Sequence, residues 1–365
     1  MRIIQLFFVI FLFTTHATTA KLISISKDTT ASILRDKNTL VLPVIFRFPE
    51  TRWGGGIAGT STFSFQKDSS WAKPSQISYG VTITQNRQLL LFAPFTLFLN
   101  NNKWYIFNDS GWYRYNYFYY GIGENRVNQE VFNVDFPRVR IVIGRQVGKS
   151  GYAGIRYGYE AYKITKTEPG GELAKGTIAG SDFSRTSALG LSYIHDKRDQ
   201  IFYPRKGSFG EFFIFPSRKQ FGADVTFTRF YADYSIYKSL RPNIVLATNL
   251  VGSAIFGDQV PFNQLSFLGG QKKMRGLYEG FFRDRNTALI QEEIRVELGK
   301  VFGIVGFGSI GWMGDQNQLL RIQKPKFSYG AGLRVATKNH LNLRLDYGFS
   351  PYTPGAFYAT VGEAF

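Results

Sequence analysis

His195 and Asp196 are the closest approach to a general-base pair in this chain, and they are neighbours in sequence. Adjacent residues of a strand point to opposite faces, so the two cannot stand side by side without a bulge. No Gly-x-Ser-x-Gly elbow, phosphate loop, haem motif or metal-ligand spacing is present. The chain also contains no cysteine, which excludes thiolate chemistry and a disulfide-stapled scaffold. These absences predict that the protein is not an enzyme and holds no cofactor and no metal. The remaining chemistry is charge set against charge. Arg275 sits in a glycine-rich segment, and Glu293, Arg295, Arg334 and Arg344 lie on alternating apolar and polar stretches after it.

Those stretches define the elements. From His340 to Phe349 every odd position is apolar and every even one is polar or glycine, which gives a strand one greasy and one wet face. Breaks at Gly, Pro, Asn and Asp divide the chain into sixteen such segments, from 41–48 to 354–365. Two interruptions, 164–183 and 257–286, read as loops, and the second is long enough to expect a function of its own. An even number of short alternating strands fits a transmembrane barrel whose greasy face meets lipid and whose wet face lines a lumen. The crowded aromatics Trp112, Tyr113, Tyr115, Tyr117, Phe118, Tyr119 and Tyr120 are expected to form an interfacial girdle.

Targeting agrees with that architecture. Met1 and Arg2 precede an apolar run from Ile3 to Phe13, and Thr18 and Ala20 supply small residues for a cleavage site, so residues 1–20 read as a signal peptide. Residues 21–40 are then a short periplasmic N-terminal segment and 41–365 the barrel. No other segment is apolar for long enough to cross a bilayer as a helix. The formal charge of +18 would suggest nucleic acid in a cytosolic protein. Behind a signal peptide no nucleic-acid partner is expected, and the nearer anions are outer-membrane lipid and lipopolysaccharide.

At Gly269-Gly270-Gln271-Lys272-Lys273-Met274-Arg275-Gly276-Leu277 the chain resembles the BamA/TamA surface-antigen barrels of the bacterial outer membrane. Their sixth extracellular loop carries a Val-Arg-Gly-Tyr or Val-Arg-Gly-Phe motif, here Met274-Arg275-Gly276-Leu277. Eleven strand segments precede this loop and five follow, which is where that family places it. The segment Asp196-Lys197-Arg198-Asp199 with Phe202-Tyr203-Pro204-Arg205-Lys206-Gly207, and Leu345-Asp346-Tyr347-Gly348, are similar to further family patterns. The resemblance implies an all-β fold: a transmembrane antiparallel β-barrel of about 16 strands with the long extracellular loop folded into the lumen. It also implies that the loop arginine meets acidic and aromatic side chains on the next strands. Alternation puts Gln291, Glu293, Arg295 and Glu297 on one strand face and makes Glu293 the expected partner of Arg275. Where the family has Phe-x-Asp-x-Gly, this chain has Phe307-Gly308-Ser309-Ile310-Gly311, so Ser309 replaces the second carboxylate and Glu293 is expected to carry more of the compensation. The end of the chain, with Tyr358, Gly362 and Phe365, is similar to the terminal strand by which such barrels are recognised by the barrel assembly machinery. Relatives carry POTRA domains before the barrel, and residues 21–40 leave no room for one.

Two functions follow as expectations. The first is a barrel-only BamA/TamA relative that assists insertion or movement of a polypeptide or lipid client at the outer membrane, with a weak seam between its first and last strands. The second is a channel with a basic lumen to which Arg295, Arg344 and Arg334 contribute, although an inserted loop would plug it. An outer-membrane hydrolase has little support.

Overall fold

The computed structural model describes residues 35–48, 52–65, 73–336 and 342–365. The predicted signal peptide and most of the segment before residue 41 lie outside them. Apart from three short 3-10 turns, the regular elements are strands. In chain order these are β1 (Arg35–Phe48), β2 (Arg52–Ser64), β3 (Ser75–Thr84), β4 (Leu89–Phe92), β5 (Phe95–Leu99), β6 (Trp104–Ile122), β7 (Asn125–Val147), β8 (Gly151–Lys166), β9 (Phe183–Asp196) and β10 (Gly207–Ser217). They continue with β11 (Phe227–Arg241), β12 (Ile244–Phe256), β13 (Ser266–Leu268), β14 (Phe282–Asp284), β15 (Asn286–Leu298), β16 (Phe302–Gly314), β17 (Lys326–Ala336), β18 (Asn342–Ser350) and β19 (Thr353–Val361).

Seventeen of these form one antiparallel sheet, and β13 and β14 form a small hairpin inside the long loop. β4 and β5 both pair with β3 and β6, so they are two halves of one crossing. The break falls at Ala93-Pro94, where proline has no N–H to give the ladder. The neighbouring amides of Ser78 and Ala93 still bridge it, to Pro94 O at 2.8 Å and Ser110 O at 3.0 Å. The wall therefore crosses sixteen times. Each crossing pairs with the next in sequence, β12 joining β15 around the inserted hairpin. Among the described residues no backbone pairing joins β1 to β19.

Alternation sets the two faces. On the outside, Leu191 is 68% exposed and Phe302 62%, a surface tolerable only in hydrocarbon. The inside holds arginines, carboxylates and the loop. The aromatic run of β6 is not a girdle along its length. Trp104 and Trp112 face outward, but Tyr119 and Phe132 pack with Phe262 and Leu173 in one buried cluster, and Phe118 and Tyr120 with Leu277 and Phe281 in another. The β6–β7 hairpin outreaches its neighbours, and from Phe118 to Tyr120 protein covers both faces of β6. At its tip the Arg126 guanidinium lies 3.9 Å from the centre of the Phe281 ring, which seats the hairpin on the loop.

Candidate functional site

Met274, Arg275, Gly276 and Leu277 are buried in the lumen against the wall made by β15 to β19. The backbone has to turn sharply to deliver Arg275. Met274 has φ +53° and Gly276 φ +111°, and a Cβ on Gly276 would lie 2.6 Å from the Phe349 carbonyl oxygen. Only glycine fits at 276. Gly311 clears space in the same way, since a Cβ there would meet Leu268 at 2.9 Å and Met274 Sδ at 3.2 Å.

The Arg275 guanidinium is 1% exposed and donates from Nη2 to Glu293 and from Nη1 to Asp346. Its Cζ lies 3.7 Å from the centre of the Phe307 ring, so the charge rests on an aromatic face. β15 and β16 bring Glu293 opposite Phe307 in register, which is why one side chain can touch both. Asp346 is the carboxylate missed by sequence reasoning. Ser309 does stand in place of an Asp, but the second acid arrives from β18, two strands further round. Glu293 therefore does not carry the compensation alone.

Further arginines share these acids. Arg295 donates to Glu293 at 2.7 Å and Arg334 to Asp346 at 2.6 Å, while Glu363 accepts from Arg334 at 2.8 Å. Arg344 donates to Thr360 Oγ1 and to the Gln271 carbonyl, and stands 3.6 Å from Asp346. The three arginines that a basic channel would need are thus paired and buried rather than presented to an open lumen. A buried charge of this kind persists only with its partners in place.

The loop backbone is held as firmly as its side chain. Gln291, opposite Ser309 in register, accepts from Met274 N at 3.2 Å and donates to Lys272 O at 3.0 Å. The Tyr358 hydroxyl accepts from Gly276 N at 3.1 Å and donates to Leu277 O at 2.8 Å, and Thr353 donates to Gly276 O at 2.6 Å. Tyr358, expected within a C-terminal recognition signal, is part of the loop's seat in the folded chain. Gly362 has φ +83° and turns the chain so that the Phe365 carbonyl accepts from Arg295 at 2.9 Å.

Elsewhere in the loop Arg283 is buried and donates to the Gly280 and Phe262 carbonyls, and burial pulls its pKa down to about 10, so it stays charged at neutral pH. His195 and Asp196 make separate contacts, His195 with Ser208 at 2.9 Å and Asp196 with Lys73 and Arg198. Asp199 organises the following turn by accepting from the amides of Gln200, Arg205 and Lys206.

The fold and this site define a class: an outer-membrane β-barrel whose long extracellular loop is folded into the lumen and clamped there by arginine. A match to the Omp85 superfamily domain covers residues 58–365, and the chain belongs to that superfamily. Similar solved structures are BamA from Haemophilus ducreyi lacking POTRA domains 1–3, with a TM-score of 0.56 and 12% identity, and CdiB from Escherichia coli, with 0.55 and 14%. CdiB from Acinetobacter baumannii follows with a TM-score of 0.53 and 11% identity. Each alignment covers 89% of this chain, but 68%, 61% and 59% respectively of the other. No curated protein matches the chain. The protein is located in the bacterial outer membrane, and its superfamily supports a role in insertion or translocation there.

Proposed function

We propose that this barrel assists the insertion or movement of a polypeptide or lipid client at the outer membrane, and that residues 1–20 direct its export. The observation that carries the reading is the seam: neighbouring crossings are laddered around the sheet, but among the described residues β1 and β19 share no backbone pairing. An unpaired strand edge presents N–H and C=O groups on which a client strand can form. The clamped loop supports the same reading, because a filled lumen leaves the seam as the route for large clients. In this reading Arg275, Glu293 and Phe307 keep the loop in place, and Phe365 serves the chain's own assembly.

The absence of native cysteine makes the test direct. Single cysteines along β1 and β19, such as Leu42→Cys with Ala359→Cys, are scanned for pairs that oxidise to a disulfide. Insertion of an unfolded client barrel is then measured in proteoliposomes. The locked seam is expected to stop insertion and reduction to restore it; insertion at an unchanged rate with the seam locked would refute the reading.

A further inference from the structure

The basic charge of this chain is distributed unequally between the two ends of the barrel. Long loops of such barrels are extracellular and tight turns periplasmic, so the turns at 100–103, 148–150, 197–206, 242–243 and 299–301 face the periplasm. At the mouths of these turns Lys103, Lys149, Arg241 and Lys300 are exposed, and none of their side chains makes a hydrogen bond or ion pair among the described residues. Lys197 and Lys206 add two more on the longest turn. The one acid within the five turns, Asp199, is occupied by backbone amides. At the other end, acids are interspersed and take up cations: Lys175 with Glu172, Arg185 with Asp224, Arg321 with Asp315.

The free cations are also flanked in a repeated way. Lys103 precedes Trp104, which is 39% exposed; Lys149 follows Val147, 53% exposed; Arg241 follows Leu240, 50% exposed; Lys300 precedes Val301 and Phe302. Arg145 lies over the outer face of the Trp104 ring, 5.9 Å from its centre. A large apolar side chain next to a cation at the end of a membrane strand places the first at the acyl boundary and the second at headgroup level. Because the pairs occur in turns spread round the barrel rather than on one side, they fit a surrounding lipid leaflet better than a single docked protein.

We infer that the periplasmic rim is a binding surface for anionic phospholipid headgroups of the inner leaflet. The cations hold lipid phosphate electrostatically and the neighbouring apolar side chains bury in its acyl region. The interaction is set by charge number and weakens as salt screens it.

The test is lipid retention by the full chain in nanodiscs of phosphatidylcholine and phosphatidylglycerol, followed by partial delipidation and mass spectrometry of what stays bound. Each cation at an anionic surface contributes about fivefold in affinity. Lys103→Gln, Lys149→Gln, Arg241→Gln and Lys300→Gln together should therefore lower the preference for phosphatidylglycerol more than tenfold. The extracellular control, Lys166→Gln with Lys219→Gln, should leave it unchanged. If the four-site variant does not fold, Lys149→Gln alone carries the test with a loss of about fivefold, because its exposed side chain has no hydrogen bond or ion pair among the described residues. Equal preference in wild type and rim variants, or an equal loss in the extracellular control, would overturn the inference. So would a wild-type rim that shows no lipid preference and instead captures an acidic protein.

Discussion

Removing the Arg275 side chain should loosen the loop by an amount the contact network allows to be worked out. Arg275 joins Glu293 and Asp346 and rests on Phe307. Orphaning a buried ion costs roughly 3–5 kcal/mol. In Arg275→Ala, however, Glu293 keeps Arg295 at 2.7 Å and Asp346 keeps Arg334 at 2.6 Å, so the loss belongs at the lower end, about 3 kcal/mol. Glu293→Ala leaves Arg295 with Glu363 at 4.0 Å and Arg275 with Asp346 alone, and should cost more, about 4 kcal/mol. The double variant should also cost about 4 kcal/mol, because its second change removes a partner already lost. Arg275→Lys should recover less than half, since one ammonium cannot reach two carboxylates as the guanidinium fork does. The assay is thermal unfolding of the detergent-solubilised barrel, read as heat-dependent gel mobility. A Met274→Cys reporter should resist an impermeant thiol reagent on intact cells and become labelled when Arg275→Ala is added. Additive losses near 7 kcal/mol in the double variant, or labelling of Met274→Cys with Arg275 intact, would refute the clamped loop.

Tyr358→Phe should leave Gly276 N–H and Leu277 O without their hydroxyl partner, a loss of about 1–3 kcal/mol, seen as faster hydrogen exchange over 270–280 with the barrel wall unchanged. The wild-type protein in a planar bilayer should give small, irregular currents, and Arg275→Ala larger ones; large steady currents from the wild type would favour a channel. The amides of Gln318 and Asn317, with Arg321, hold the Asp315 carboxyl below the usual range. Its stabilisation of the β16–β17 loop is therefore full above the unfolded carboxylate pKa and lost as pH falls through the lower folded value. Hydrogen exchange over 315–325 should show that acid-side loss in the wild type and not in Asp315→Asn.

Much of the wall is legible in the sequence because a strand with one lipid face and one lumen face must alternate, and His340 to Phe349 shows it residue by residue. Alternation also gives Glu293 its lumen face. It does not say how far round the barrel two lumen residues lie, so Asp346, 71 positions from Arg275, could not be singled out as its partner. The same limit made Arg295, Arg334 and Arg344 read as open-lumen cations: Glu293 and Asp346 share a strand with Arg295 and Arg344, but alternation alone does not say that they pair, and Arg334 takes its acids from β18 and from beyond the last strand. Gln291 was visible as a lumen residue, but its two bonds to the loop backbone leave no trace in side-chain type. The β6 aromatics misled for a different reason. A hairpin that rises past the membrane and is covered on both faces has the same composition as a lipid-facing belt.

The seat that receives Gly276 has a consequence for the order in which the molecule can be built. Its partners Thr353 and Tyr358 lie 77 and 82 positions downstream, on the final hairpin. Without the final two strands the loop between β12 and β15 keeps its contacts to Glu293, Gln291 and Phe307, but Gly276 lacks both hydroxyl partners and the arginine lacks Asp346. The seat of the loop is therefore complete only when the last two strands are in place. The same contacts tie the final hairpin to the loop. Closing such distant contacts is intrinsically slow. A barrel without β18 and β19 would thus have most of its wall but only half of its internal lock, with Glu293 and Phe307 in place and Asp346, Thr353 and Tyr358 missing.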